Sequence, residues 1–286
     1  MKIVSFLEND RPTYGVAQPN DNGAGEVTTP SSSFLDANPS LKAVLENDAV
    51  HGLALDVEKR APTHSLEDLV YLPPLYDAEK VICIGVNYPK RHPVEGDIPP
   101  PKHITTFGKF EGSVVGHNQP ITLPAPPMCD SFDYEGELVL VIGKAGRNIS
   151  EEDAFSHIAG YTIMNDGSVR EWQKHSVPAG KNFFAASACG PWMVTADEIS
   201  DPFEMALSTR LNGEQVQSTK AGSMIFSIPT LVSYLSTFLF LKPGDIISTG
   251  SPEGSGGSRI PQRFLNKGDR LEIEWSGIGT LKTWVQ

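Results

Sequence analysis

Two glutamates one residue apart lead directly into an unbroken apolar run: Asp133-Tyr134-Glu135-Gly136-Glu137-Leu138-Val139-Leu140-Val141-Ile142-Gly143. The run is rich in β-branched residues and reads as a buried strand. Side chains two apart on a strand share a face, which sets Glu135 and Glu137 side by side, roughly 6 to 7 Å apart. At that separation two unit charges repel by roughly 2 kcal/mol at an effective dielectric of about 20, and apolar surroundings raise the cost. Either this segment is a solvated edge or a cation offsets the pair.

The rest of the chain does not supply a general excess of cations. With 23 basic and 35 acidic residues the formal net charge is −12. That balance argues against nucleic acid or an anionic membrane as partner, and means that a small anionic substrate needs a local cation. The 26 glycines and 23 prolines among 286 residues exceed ordinary usage and point to turns and short strands rather than a helical bundle. Cys83, Cys129 and Cys189 are odd in number and widely spaced. They suggest neither a disulfide framework nor a zinc ribbon, and are expected as reduced structural cysteines. The N-terminal apolar run breaks too early for a secretion signal. The greasiest stretch, residues 231–241, is short of a membrane span and interrupted by Ser233, Tyr234, Ser236 and Thr237, so a soluble, cytoplasmic protein is expected.

Residues 1–75 read as a small N-terminal α+β domain. Strands at 2–7 and 13–17 pair, short helices are expected at 41–47 and 65–71, and Pro73-Pro74 marks the join. Residues 76–286 form the main body, with strands at 80–86, 161–164, 245–248, 270–275 and 279–285, the last two as a hairpin about Ser276-Gly277. The stretch 97–102, with three successive prolines, reads as an exposed loop. Ser150 ahead of Glu151, Glu152 and Asp153 is a capped start for a helix ending by Gly160, and Pro229 opens a helix running to residue 241. The class is α+β with more strand than helix.

Asp166 supplies a third carboxylate at the end of the strand at 161–164. Three oxygen ligands without a histidine or cysteine cluster suit a hard ion: Mg²⁺, Mn²⁺ or Ca²⁺. A helix after Asp166 would place Arg170 and Gln173 on one stripe with it, at i+4 and i+7. Lys181, in Gly180-Lys181-Asn182-Phe183, is close enough in sequence to return to the same pocket from a loop.

From about residue 80 onward the sequence resembles the fumarylacetoacetate hydrolase family. Several ordered motifs carry the resemblance. Tyr134-Glu135-Gly136-Glu137-Leu138 followed by Val141-Ile142-Gly143-Lys144 is similar to the family's metal-binding strand. Asn165-Asp166-Gly167-Ser168-Val169-Arg170-Glu171-Trp172-Gln173 resembles its Asn-Asp-x-(Ser/Thr)-x-Arg-Asp-x-Gln segment. Gly180-Lys181, Ser223-Met224-Ile225-Phe226-Ser227 and Gly244-Asp245-Ile246-Ile247-Ser248-Thr249-Gly250-Ser251-Pro252 follow in the family's order.

The resemblance implies a β-rich mixed roll, a homodimer and one divalent ion held by Glu135, Glu137 and Asp166. It implies substrates of the 2-oxo and 2,4-dioxo acid class, with Lys181 and Arg170 anchoring carboxylate or enolate and Gln173 orienting a distal oxygen. Ser251, where the family usually has threonine, is placed beside Gly250 at the substrate carboxylate. The family's base motif, Asn-Tyr-x-x-His-x-x-Glu, is matched imperfectly by Asn87-Tyr88-Pro89-Lys90-Arg91-His92-Pro93-Val94-Glu95, which carries one extra residue before the histidine. His92 and Glu95 keep their mutual spacing as a water-activating pair, with His103 and His117 as weaker substitutes. The leading expectation is a metal-dependent hydrolase that cleaves the carbon–carbon bond of a 3-acylpyruvate such as fumarylpyruvate. The alternatives are a decarboxylase, isomerase or hydratase on a chelated 2-oxo acid such as oxaloacetate, and a catalytically silent dioxo-acid binder.

Overall fold

The acid-flanked apolar run is the middle of the molecule. A computed structural model describes residues 1–20, 24–92 and 96–286, and their side chains except at 90–92 and 96–98. Strand Gly136–Ile142 is buried at all seven positions, and its alternate side chains feed two different cores. Leu138, Leu140 and Ile142 join one apolar cluster, and Val139 and Val141 join another on the opposite face. A strand covered on both faces needs no polar side, which is why the run reads as continuous rather than alternating.

Among the described residues, twelve strands form one mixed sheet around this strand. Ile158–Asn165 pairs antiparallel on one side, with Gly136 opposite Asn165 and Leu140 opposite Tyr161. Ile246–Ser248 pairs antiparallel on the other, from Val139 to Val141. Beyond them lie Ser187–Thr195 on one flank and Val81–Ile84 with Thr106–Gly108 on the other. A separate five-stranded sheet runs in the order Gln119–Ile121, Gly279–Val285, Arg270–Trp275, Ala206–Leu211, Glu214–Lys220. Its Leu207, Leu271, Ile273 and Leu281 pack into the same cluster as Leu138 and Leu140, together with helix Ile228–Phe238. The class is α+β and strand-rich.

The first 75 residues lie against this body. Strand Lys2–Glu8 pairs with Ser187–Thr195 through Lys2–Val194 and Ile3–Met193, so the main sheet continues into the N-terminal segment. Helices Leu41–Glu46 and Val50–Val57 bring Leu41, Val44, Leu45 and Leu53 into the core that holds Val139, Val141 and Met193.

Several expected elements differ. The helix from Ser150 is replaced by a turn and a single 3₁₀ turn, Ala154–His157. Ser150 does cap, its hydroxyl accepting the Asp153 N–H at 3.1 Å. His157, however, already accepts the Gly143 N–H at 2.8 Å, and Ile142 pairs with Ile158, so the chain must be extended by then. At 65–71 a 3₁₀ turn, Leu66–Asp68, sits between His64–Ser65 and Val70–Tyr71, because both flanks pair with sheet strands. Helix Ile228–Phe238 stops three residues early because Leu241 forms a two-hydrogen-bond bridge with Gly146. The loop expected at 97–102 loses its first two residues to strand Gly96–Ile98.

His117 is an acid-sensitive point of this scaffold. Its ring stands edge-on to Tyr71 at 4.7 Å, and Nδ1 accepts the Lys282 N–H at 3.1 Å. Burial, aided by the Lys282 ammonium, pushes its pKa down to about 3. The folded form therefore keeps a neutral ring down to that pH, whereas the unfolded chain protonates it below about 6.5. This contribution is intact above about pH 6.5 and is lost toward pH 3, by at most about 1.4 kcal/mol per pH unit. Urea midpoints at pH 7 and pH 5 should fall further in wild type than in His117→Gln; equal drops would remove His117 from the acid response.

Candidate metal centre

Glu135, Glu137 and Asp166 each offer an oxygen, and these atoms lie within 4.8 Å of one another. All three residues are buried, with relative exposures of 8%, 1% and 0%. Strand pairing assembles them. Asp166 N–H donates to the Glu135 carbonyl at 2.8 Å, and Asn165 Oδ1 accepts the Glu135 N–H at 3.1 Å, extending the ladder past the strand ends. Gly167 then lets the chain pass close to the next strand, since a Cβ there would sit 1.8 Å from the Ala186 carbonyl oxygen.

The carboxylates are neutralised unequally. Lys181 Nζ reaches Glu135 Oε2, and Asp166 Oδ2 at 2.6 Å. Lys109 Nζ lies 2.5 Å from Asp166 Oδ1, and donates to the Lys181 carbonyl and to Ser187 Oγ, the latter at 2.8 Å. Arg170 Nη2 donates to Glu135 Oε1 at 2.8 Å, while its Nε donates to Asp133 Oδ2 at 2.8 Å. Among the described residues Glu137 has no ion-pair partner; its Oε2 accepts from Ser248 Oγ at 2.6 Å and from Gly250 N–H at 3.0 Å. Burial, then the charges of Asp166 and Glu135, push its pKa up to about 8. For Lys181 burial acts to lower the pKa, but Asp166 and Glu135 outweigh it and hold the amine protonated above the usual lysine value.

The donor set fits a hard divalent cation. Four buried carboxylates, counting Asp133, face three cations, Lys109, Lys181 and Arg170. Glu137 is the carboxylate without an ion-pair partner among the described residues, and burial with its acidic neighbours drives it toward the neutral form unless positive charge is added. A divalent ion held by Glu135, Glu137 and Asp166 would supply that charge through oxygen ligands alone.

Arg170 and Gln173 reach the cluster by a different route from the one expected. After Gly167 the chain forms a two-residue strand, Ser168–Val169, paired with Phe132–Asp133, and only then the helical turn Arg170–Gln173. Gln173 Oε1 accepts from Arg170 Nη1 at 3.3 Å. Lys181 arrives as the last residue of helix Val177–Lys181, not from a loop. The Gly250 N–H is directed at Glu137, and Ser251 Oγ accepts from Gln217 Nε2 at 2.9 Å. The His92 side chain and all of Glu95 lie outside the described residues; His103 is exposed, and His117 is engaged with Tyr71 and Lys282.

Sequence reasoning missed Lys109, Asp133 and Ser248. Asp133 carried a usable signal, since it precedes Glu135 by two residues and belongs to the same alternation. Its carboxylate gathers the N–H groups of Tyr134, Gly256 and Gly257 besides Arg170, tying the 256–257 turn to the guanidinium. Lys109 is a lone cation 26 residues before Glu135, and only sheet topology reveals its destination.

Residues 80–286 match the fumarylacetoacetate hydrolase C-terminal domain. The chain is similar over its full length to an oxaloacetate tautomerase of Xenopus laevis, at 35% identity over 298 residues, covering 90% of that protein. It is also similar to an oxaloacetate tautomerase of Bacillus subtilis, at 41% identity over 214 residues, 73% of this chain and 70% of that one. Among solved structures, a fumarylacetoacetate hydrolase from Exiguobacterium antarcticum aligns with a TM-score of 0.81 at 31% identity, covering 100% of this chain and 99% of that one.

Glu137→Gln removes one charge from the cluster at nearly constant volume. In EDTA the variant should melt at or above the wild-type temperature, because the amide is buried neutral without the proton uptake that the raised Glu137 pKa requires. On adding Mg²⁺ or Mn²⁺ it should gain far less than wild type, for which a ligand at 100 times its dissociation constant adds about 2.7 kcal/mol. Equal responses of the two proteins to metal would remove Glu137 from the ligand set.

Proposed function

Because the chain belongs to the fumarylacetoacetate hydrolase family, we propose that it is an enzyme of 2-oxo acid chemistry, interconverting the keto and enol forms of oxaloacetate or a close dicarboxylic analogue. The observation that carries this reading is full-length similarity to a protein named as an oxaloacetate tautomerase. It favours isomerisation over the acylpyruvate hydrolysis that the motifs alone put first.

Tautomerisation moves a proton between C3 and the C2 oxygen, and negative charge grows on that oxygen as the C–H bond breaks. A divalent ion, Mg²⁺ or Mn²⁺, when bound by Glu135, Glu137 and Asp166, would supply localised positive charge beside the 2-oxo group. Lys181 adds a fixed ammonium. Buried between Glu135 and Asp166 and held protonated, it stabilises charge that develops in the transition state without having to reorient. Arg170 is committed to Asp133 and Glu135 through Nε and Nη2, but its Nη1 bond to Gln173 is long at 3.3 Å. That N–H and the Gln173 amide are the groups best able to turn to a distal substrate carboxylate. Ser248 and the Gly250 N–H fix the orientation of Glu137.

The hydrolytic reading is kept as a second one, favoured by the whole-chain likeness to a solved fumarylacetoacetate hydrolase. It requires water activated by His92 with Glu95, which tautomerisation does not. The two separate in one pair of assays: loss of enol absorbance from oxaloacetate, and acid release from an acylpyruvate, each with Mg²⁺ or Mn²⁺ and with EDTA. Metal-dependent acceleration of the first is expected; acid release without any acceleration of tautomerisation would replace the first reading by the second. Lys181→Met should lower turnover by roughly 10²- to 10⁴-fold, the range for a lost charge-stabilising or proton-transfer group. Metal binding should persist, because the carboxylates lose a competing cation; wild-type turnover would return Lys181 to a structural role.

A further inference from the structure

Glu135 and Glu137 are separated by Gly136, and the backbone of that glycine has an unusual partner. Asp166 N–H donates to the Glu135 carbonyl beside the Gly136–Asn165 pair, so the Gly136 N–H points to the opposite edge of its strand. The neighbouring strand on that edge pairs only from Val139 onward. Gln217, from strand Glu214–Lys220 of the five-stranded sheet, fills the gap.

Its Oε1 accepts the Gly136 N–H at 2.9 Å, and its Nε2 donates to Ser251 Oγ at 2.9 Å and to the Pro252 carbonyl at 3.1 Å. The amide is 2% exposed. Both of its donors and its acceptor are used, which fixes the amide orientation, since a flipped amide would aim N–H at N–H. The contacts close a ring: Gly136 leads to Glu137, Glu137 accepts from Gly250, Gly250 leads to Ser251, and Ser251 returns through Gln217 to Gly136. Gly136 is the residue that permits it. A Cβ there would lie 2.4 Å from Thr209 Oγ1 and 3.1 Å from Ile273 Cγ2, so only a glycine lets the second sheet come this close.

We propose that Gln217 is a positioning residue of the metal centre, setting the two glutamates and the 250–252 turn at a fixed separation from the second sheet. The inference rests on the metal reading of Glu135, Glu137 and Asp166. Partners that orient metal ligands typically account for about 10- to 100-fold in metal affinity or activity. Gln217 acts on the backbone between two ligands at once, and removing it leaves a buried N–H unpaired.

The test is Mn²⁺ binding, measured by calorimetry on the purified full-length protein and two variants, with melting temperature read alongside. Gln217→Asn keeps the amide but cannot span from Gly136 to Pro252, and Gln217→Met keeps the reach but loses the polarity. Each should weaken Mn²⁺ binding by about 10- to 100-fold and, at saturating Mn²⁺, lower kcat more than it raises KM. A residue that only braces the fold would lower the melting temperature and leave the Mn²⁺ dissociation constant within twofold of wild type. That result, in either variant, overturns the proposal. Should the methionine variant not fold, the asparagine variant decides alone. Absence of Mn²⁺ binding by wild type would instead overturn the metal centre itself.

Discussion

The structure depends on keeping four carboxylates out of water. Taking ions into a protein interior costs several kcal/mol each unless partners and hydrogen bonds replace the lost hydration. Here Lys109, Lys181 and Arg170 provide most of that replacement, and Ser248 with the Gly250 amide provides the rest. Such a cluster is destabilising by itself unless the surrounding scaffold holds it. Two apolar cores, one on each face of strand Gly136–Ile142, give it rigid walls. The remaining imbalance, centred on Glu137, is one that a divalent ion held by Glu135, Glu137 and Asp166 would offset.

The division between fold and site follows the strand itself. Its apolar half is covered on both faces and fixes the register, while its acidic head lies where the pairing strand Ile246–Ser248 has not yet begun. A one-residue slip would exchange the two cores and turn the carboxylates to the opposite face. The register therefore protects the geometry of Glu135 and Glu137 as firmly as it protects the packing of Leu138 and Val139.

What could be read from the sequence is what local periodicity encodes. Glu135 and Glu137 share a face by the two-residue repeat, Asp166 follows a strand, and the terminal hairpin forms around Ser276-Gly277 as expected. The illegible parts are those decided by partners distant along the chain. Ser150 has every local mark of a helix start, yet the pairing of Ile142 with Ile158 leaves no room for one. Gln215 and Gln217 are indistinguishable by composition, yet one is exposed and the other buried against Gly136. The mutual spacing of His92 and Glu95 is legible, with one residue more before His92 than the family's motif carries.

The ion pairs and hydrogen bonds of the centre also carry a statement about time. Lys181 meets Glu135 across 46 residues, Arg170 meets Glu135 across 35, and Ser248 meets Glu137 across 111. Contacts so far apart in the chain carry the entropic cost of closing long loops, which slows their formation. Until then each carboxylate remains hydrated and unpaired, and no nascent segment carries a ready-made ligand set. The centre is thus a product of assembly rather than a nucleus for it, since Glu135, Glu137 and Asp166 meet only once strands Gly136–Ile142 and Ile158–Asn165 have paired.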